Sequence, residues 1–394
     1  MSSISAPRTT PQVDLDRLLT ARPATTLPRL SLAELLLLAE DAGLTGRGGA
    51  GFPTAIKLRS VAAGSRRPVV VGNAMEGEPL SQKDAVLASR VPFLLVEGLA
   101  IVGAALRAKR TVLALGPHLA PEPARAAATR HGVEIAALGG GFIAGQESAL
   151  GNQLDGRSAV PRDPRVRVTT KGVGGRPTLV LNAETLAHLA LAARHGAAWF
   201  REHGTEQDPG TSLFTLSGAV ARPGVVEAPR GARLCDVLAP GSPQEPVAVL
   251  VGGYHGAWLP ADAFETRLTN AELRPYGAAV GAGVLHVLGP DQCPLRLAAD
   301  IAEYLAGESA GQCGPCINGL PRMADSLRRL ADRSSDASLP AEIERLGRLV
   351  TGRGACAHPD GTARMVASTM RVFADHTAAH LAGWCPTAER RRTR

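Results

Sequence analysis

Aromatic residues make up only 3% of the sequence, too few for the rows of stacked rings that hold single-stranded nucleic acid, so no nucleic-acid partner is expected. Long apolar runs are also lacking. Leu35 to Ala39 and Phe93 to Leu106 are the longest, and they are too short or too interrupted to span a bilayer. No charged segment followed by an apolar stretch and a cleavage site opens the chain. These absences predict a cytoplasmic protein with membrane contact only through partners. Charge is not concentrated either: the formal +7 and pI near 9.4 come from scattered basic residues, which read as a solvated surface. Only the last stretch, ERRRTR, reads as a basic tail able to touch an acidic partner. There is no internal repeat and no arguable Ser-His-Asp arrangement, and the histidines other than His358 form no recognisable cluster.

What is present is a long chain rich in small residues. Its 394 residues, 44 glycines and 29 prolines, with 45% hydrophobic residues, describe two or three α/β domains large enough to bury a cofactor. Residues 1 to 27 lack periodicity and read as a disordered tail. Ser31 and Glu34 form a capping box that opens the helix LAELLLLAEDAG. Strands at Pro68 to Val71, Thr111 to Leu115 and Val133 to Ala137 then alternate with helices at Lys83 to Arg107, divided at Pro92, and Pro123 to His131. Such alternation predicts a largely parallel sheet covered by helices. From Ser212 the texture becomes short strands, at Ser212 to Val226, Val247 to Val251 and Val284 to Leu288, with a short helix near Leu234: a β-grasp-like unit. Leu295 to about Ala382 reads as helical, interrupted by Gly- and Cys-containing turns.

Three Gly-rich loops fall where α/β proteins place ligands. The first, GRGGAGFPT from Gly46 to Thr54, brings backbone N–H groups close to an anion, with Lys57 downstream on the same segment. The second, NAMEGEP, puts Asn73, Glu76 and Glu78 at the end of a strand, suited either to bonding a cofactor's hydroxyls or to capping the next helix. The third, GGGFIAGQES, carries Glu147, and Asn182 lies in the stretch Pro177 to Thr185 that opens a helical run to about His203; both have the same two readings. Of six cysteines, Cys313 and Cys316 share a tight turn and Cys356 follows about 40 residues later, a set able to converge on one metal centre. The alternatives are three buried thiols, or a zinc site completed by His358. Cys235, Cys293 and Cys385 read as core or surface thiols without partners.

The order GRGGAGFPT…K, NAxEGEP…KD, GxESAL, PTxVxNxETL, ESxGxCxPC and a lone cysteine, over residues 28 to 385, resembles the NADH-oxidising, FMN-binding flavoprotein chain of respiratory complex I and the diaphorase chains of NAD-linked hydrogenases and formate dehydrogenases. The resemblance implies a 28–208 FMN- and NADH-binding α/β domain, a 209–290 ubiquitin-like β-grasp (SLBB) domain and a 291–385 helical iron-sulfur-binding domain, with a basic tail at 386–394. It implies electron transfer from NAD(P)H through FMN to a [4Fe-4S] cluster, and a ferredoxin-like or thioredoxin-like iron-sulfur protein as partner. Gly46, Arg47, Gly48, Gly49, Gly51, Lys57, Asn73, Glu76 and Asn182 fall on flavin-site positions, and Phe52 on one packing near the nucleotide. Glu78 and Glu147 fall where they tune the flavin and the approach of the hydride donor, and Cys313, Cys316 and Cys356 fall on cluster ligands.

The departures from the family pattern carry expectations of their own. The first cluster cysteine is Ala310 here, so the alternatives are a three-iron cluster, a fourth ligand from Ser309, His358 or a partner, or an empty site, and a labile or unusual cluster is expected. Met75 and Gln146 replace two acidic residues, and Leu181 replaces an asparagine, which should raise the flavin potential and weaken FMN retention. Nucleotide-holding aromatic and lysine positions appear as Ser60, Pro164 and Arg167. A second reading follows from these changes: a non-catalytic scaffold or small-ligand-binding descendant of the same fold.

Overall fold

β-branched runs bounded by glycine fold into short strands, and the stretches between them into helices. The structure, a computed structural model describing Leu15 and residues 17–388, contains two sheets. β1 (Val69–Ala74), β2 (Arg110–Leu115), β3 (Glu134–Ala137) and β4 (Thr178–Asn182) form the first, entirely parallel and ordered β3-β2-β1-β4. Val69, Val70 and Val71 are all buried, as expected of a strand covered on both faces. β1 runs on past Val71 through Gly72 and Asn73, so that Asn73 pairs in register with Asn182 of β4. The first sheet therefore carries two asparagines side by side at its C-terminal edge.

Pro92 divides the following helical stretch as its chemistry requires. With no N–H to give, and with Val91 pushed to φ −134° and ψ 45°, it separates helices Lys83–Arg90 and Pro92–Ala105, which meet at 90°. Among the described residues no single helix is long and apolar enough to cross a membrane.

The second sheet joins β5 (Thr211–Gly218), β6 (Gly224–Pro229), β7 (Ala248–Val251), β8 (Ala257–Pro260) and β9 (Val284–Leu288) in the order β6-β5-β9-β7-β8. β5 and β9 run parallel at its centre, and the other pairs are antiparallel. β8 is absent from the sequence-based expectation because it is four residues long and ends in a proline. Its first three residues are buried nonetheless: Trp258 is 0% exposed and meets Phe373 of the C-terminal region edge to face at 5.4 Å.

The C-terminal region is helical: Pro294–Gly307, Leu320–Ala331, Leu339–Val350, His358–Val372 and Ala374–Leu381. Leu320, Met323, Leu327 and Leu330 are buried along one face of the second of these, the spacing of a helix that packs one stripe into a core.

Within the span 1 to 27 expected as a tail, described residues from 17 onward are anchored to the rest of the chain. Leu18 is fully buried, its N–H donates to Glu227 Oε2 at 2.8 Å, and Ala24 N–H donates to Glu97 Oε1 at 2.9 Å. The Arg17 guanidinium lies 3.6 Å over the Trp199 ring. Local sequence carries no trace of these anchors, because each partner lies far along the chain. At the other end Thr387 is buried, and the rest of the expected basic tail, from residue 389, lies outside the described residues.

Candidate functional site

A cavity of about 490 Å³ opens at the C-terminal edge of β1 and β4. Its walls come from the first Gly-rich loop, the ends of these strands, the Gly139 loop, the second sheet's loops and the C-terminal helices. The size is that of a small-molecule pocket. Asn73 Nδ2 donates to Gly145 O at 2.8 Å, and Asn182 Oδ1 caps the following helix by accepting Glu184 N–H at 3.0 Å. Of its two expected roles Asn182 fills the helix cap, and it also lines the cavity.

Gly48 and Gly49 press backbone against this space. A Cβ at Gly48 would sit 3.3 Å from Asn182 Cβ, and Gly49, at φ +107°, bridges to Gly281 of the second sheet. Gly46 N–H closes the loop onto Phe52 O at 2.9 Å, and Gly51 turns it at φ +60°.

Glu76, Lys83, Asp84 and Glu184 form a buried charged cluster beside the cavity. Lys83 Nζ donates to Glu184 Oε2 at 3.0 Å, and Glu184 Oε1 accepts Leu213 N–H of β5 at 2.8 Å. Burial alone would raise Glu184, but Lys83, with His188 and Arg47 behind it, holds its carboxyl down to about 2. One lysine cannot serve every carboxylate around it. Burial and the neighbouring Glu76 push Asp84 well above the usual carboxylate range, and burial raises Glu76 too, against the pull of Lys83. Asp84 Oδ1 is buried without a hydrogen-bond partner, in a residue that lines the cavity.

Glu78 also lines the cavity. Its Oε2 accepts Tyr254 N–H at 2.8 Å, and burial lifts its carboxyl to about 7 against the pull of that bond. A side chain at Gly253 would meet Glu78 Oε2 at 2.4 Å, and Gly253 sits at φ +83°, so glycine is required there.

Other expected site residues lie elsewhere. The Arg47 side chain is a structural clamp, donating to Thr45 O at 2.8 Å, Thr211 O at 3.2 Å and Pro209 O at 3.3 Å, and burial lowers it to about 9. Lys57 is ion-paired with Glu147 and donates to Val180 O at 3.3 Å. That pair stands behind the cavity lining, whereas neighbouring Gln146 faces in. Phe52 is 45% exposed; Ser60, Pro164 and Arg167 are exposed as well, and none of the four lines the cavity. Met75 lines it, whereas Leu181 is buried in the core of the first sheet.

Sequence reasoning missed much of the far wall. Phe142, His255 and His358 pack as a ring cluster, with Phe142 and His255 centroids 4.5 Å apart and Phe142 and His358 5.5 Å apart. His358 Nε2 donates to Leu305 O at 2.8 Å, which leaves Nδ1 to accept from His255 Nε2 at 3.1 Å. Both ring nitrogens are used, so His358 is turned away from the cysteines and completes neither a zinc site nor a cluster. For Lys83 and Asp84 a signal existed in the KD of the second motif; for His255 in GGYHG there was none.

Cys356 lines the same cavity. Burial, with Cys356 and Cys313 close by, pushes the Cys316 thiol up to about 11, and Ser309 hydrogen-bonds it. Cys313 Sγ accepts Ala355 N–H at 3.4 Å. Among the described residues these three sulfurs are near enough to interact but do not all lie within 4.8 Å of one another.

Residues 39–191 match the family described as the Nuo51 FMN-binding domain, and residues 296–380 match the NADH-ubiquinone oxidoreductase-F iron-sulfur binding region. With the cavity and the cysteine loop sharing a wall, these matches define an oxidoreductase chain with a flavin-binding and an iron-sulfur-binding region. The NADH-quinone oxidoreductase F 2 subunit of Rhizobium meliloti is 32% identical over 373 residues, covering 88% of this chain and 89% of that one. The corresponding F subunit of Escherichia coli is 31% identical over 386 residues, covering 88% and 84%. The chain belongs to the family of NADH-quinone oxidoreductase F subunits. In structure it is similar to a chain of the NAD+-reducing [NiFe]-hydrogenase in the H2-reduced state, with a TM-score of 0.84 and 31% identity over 89% of this chain, and it spans 63% of that chain's length.

Proposed function

We propose that this chain takes electrons from a nicotinamide nucleotide at the cavity and delivers them to the cysteine loop, as one member of a larger oxidoreductase whose other chains, a ferredoxin-like or thioredoxin-like iron-sulfur protein among them, carry them on. The observation that carries this reading is the shared wall: Cys356 lines the cavity whose opposite side is built by Gly48, Gly49, Asn73 and Asn182. Bound FMN would supply the conversion of a two-electron donor to single-electron transfers.

The residues fit that group. Gly48 and Gly49 leave room for backbone N–H donors to approach it, and Asn73 and Asn182 offer amides at the sheet edge. The raised carboxyls of Glu76 and Asp84 would offer hydrogen-bond donors to its polar edge, where the unpartnered Asp84 Oδ1 would gain a partner. Glu78, poised at about 7, holds a proton at the cavity mouth and governs the charge met by the incoming nucleotide. Lys57, paired with Glu147 behind the cavity lining, would reach a phosphate only by releasing that carboxylate. Cys313, Cys316 and Cys356 ligate the iron-sulfur cluster, with the Ser309 hydroxyl beside Cys316 as the nearest fourth donor. A hydroxyl there would hold the fourth corner less firmly than a thiolate does.

We further assign residues 28–208, 209–290 and 291–385 as three domains. The second is a β-grasp unit, supported by the order β6-β5-β9-β7-β8 with β5 and β9 parallel. The free thiols suit a reducing compartment, which supports a cytoplasmic location.

The test is an anaerobic absorbance titration of the purified chain with FMN and then NADH. Flavin bands that shift on binding and bleach with NADH are expected. A chain that takes up neither FMN nor iron would overturn the reading in favour of a scaffold.

A further inference from the structure

Cys293 and Cys385, expected to be isolated thiols, are not isolated. Together with His380 they form the triad of described side chains whose ligand atoms all lie within 4.8 Å of one another. Cys293 caps the start of helix Pro294–Gly307, His380 lies in the last turn of helix Ala374–Leu381, and Cys385 follows the turn beyond it. The sequence conceals the set because 87 residues separate Cys293 from His380.

The histidine is already oriented as a ligand. Its Nδ1 lies 3.1 Å from Leu330 O; a carbonyl can only accept, so Nδ1 carries the proton and Nε2 presents its lone pair. That lone pair lies 3.6 Å from Cys293 Sγ, and the ring is 1% exposed. A backbone carbonyl that fixes the tautomer of an imidazole is the arrangement that supports metal-bound histidine. Burial, with Cys385 alongside, raises the Cys293 thiol.

We propose that Cys293, His380 and Cys385 bind one zinc-class divalent cation, which fastens the end of the last helix to the start of the first helix of the C-terminal region. Binding converts two thiols and one M2+ into two thiolates on the metal and releases two protons. No electron is transferred. With Zn–S near 2.3 Å and Zn–N near 2.0 Å, the donors close on the ion through small side-chain adjustments. Three protein ligands leave a fourth position to water, which reaches the half-buried cysteines. This site is separate from the cluster loop and does not depend on the proposed redox activity.

The experiment uses the full chain carrying Cys313→Ser, Cys316→Ser and Cys356→Ser, so that cluster thiols cannot compete, with circular dichroism confirming its native helix content. It is titrated under reducing conditions with Co2+ as an optical probe and then with Zn2+. One equivalent of Co2+ with a thiolate charge-transfer band, displaced by Zn2+ and weakened at least about tenfold by Cys385→Ser, is the expected result. Cys385 lies near the chain end and is half-buried, so its loss leaves the core intact. If the triple variant does not fold, zinc is measured instead in the otherwise native chain with and without Cys385→Ser. One zinc that disappears with the substitution supports the site. Absence of a band or of zinc, insensitivity to Cys385→Ser, or a Cys293–Cys385 disulfide found by mass spectrometry would overturn it.

Discussion

Glu78 is held at about 7 by burial, although two backbone N–H groups hold it down. Its folded pKa lies above the ordinary 4.5, so its contribution to stability is complete below about 4.5 and is lost as pH rises through about 7. Ionising it in the cofactor-free chain costs on the order of 3 kcal/mol. Glu78→Gln keeps an acceptor for Tyr254 N–H and removes the titration. The melting temperature of the wild type is expected to fall between about pH 5 and pH 8, and that of the variant to stay level by comparison; parallel profiles would show that Glu78 does not titrate there. At this scale the sequence was informative where a strand end points polar side chains into a loop of small residues. Asn73, Glu76, Glu78 and Asn182 all reach the cavity. It misled where a side chain's direction depends on distant partners. Arg47 turns toward the carbonyls of Pro209 and Thr211, which no local pattern encodes.

Glu184 joins three elements. It opens the helix after β4, accepts Lys83 from the helix after β1, and accepts Leu213 N–H from β5. Lys83→Met would leave this carboxylate buried and unpaired, at a cost of about 3 to 5 kcal/mol, read as a lower denaturation midpoint in urea. The double variant Lys83→Met with Glu184→Gln should recover part of the loss; a single variant as stable as wild type would show that the pair contributes little. Elements such as the first three parallel strands and the helical C-terminal region were legible because their own side chains decide their burial, whereas β4 was read as the opening of a helical run and is a strand through its pairing with β1. β8 was not legible, since four residues ending in Pro260 become a strand only through pairing with β7. The Cys293, His380 and Cys385 triad escaped notice for the same reason, as helix packing alone assembles it.

Over the whole molecule, the proposed function has electrons gathered at one face of the cavity leave through the cysteine loop. Ala310 stands in that loop where the family pattern has a cysteine, so iron retention is the weak step. Ala310→Cys is expected to raise iron after desalting from about three to about four per chain, and to replace the paramagnetic signal of the oxidised protein with one seen on reduction. Unchanged iron content and spectra would mean that the fourth corner is already firmly held. The architecture was legible as three textures in sequence, but the cavity between them was not, because no texture contains it. Its walls run from Gly48 to Arg364, whereas the matched flavin region stops at residue 191. In hereditary terms, the span from Gly48 to Arg364 is a single indivisible allele. A crossover with a diverged relative inside it would mate walls that never evolved together, so functional chimaeras should tolerate junctions only outside it.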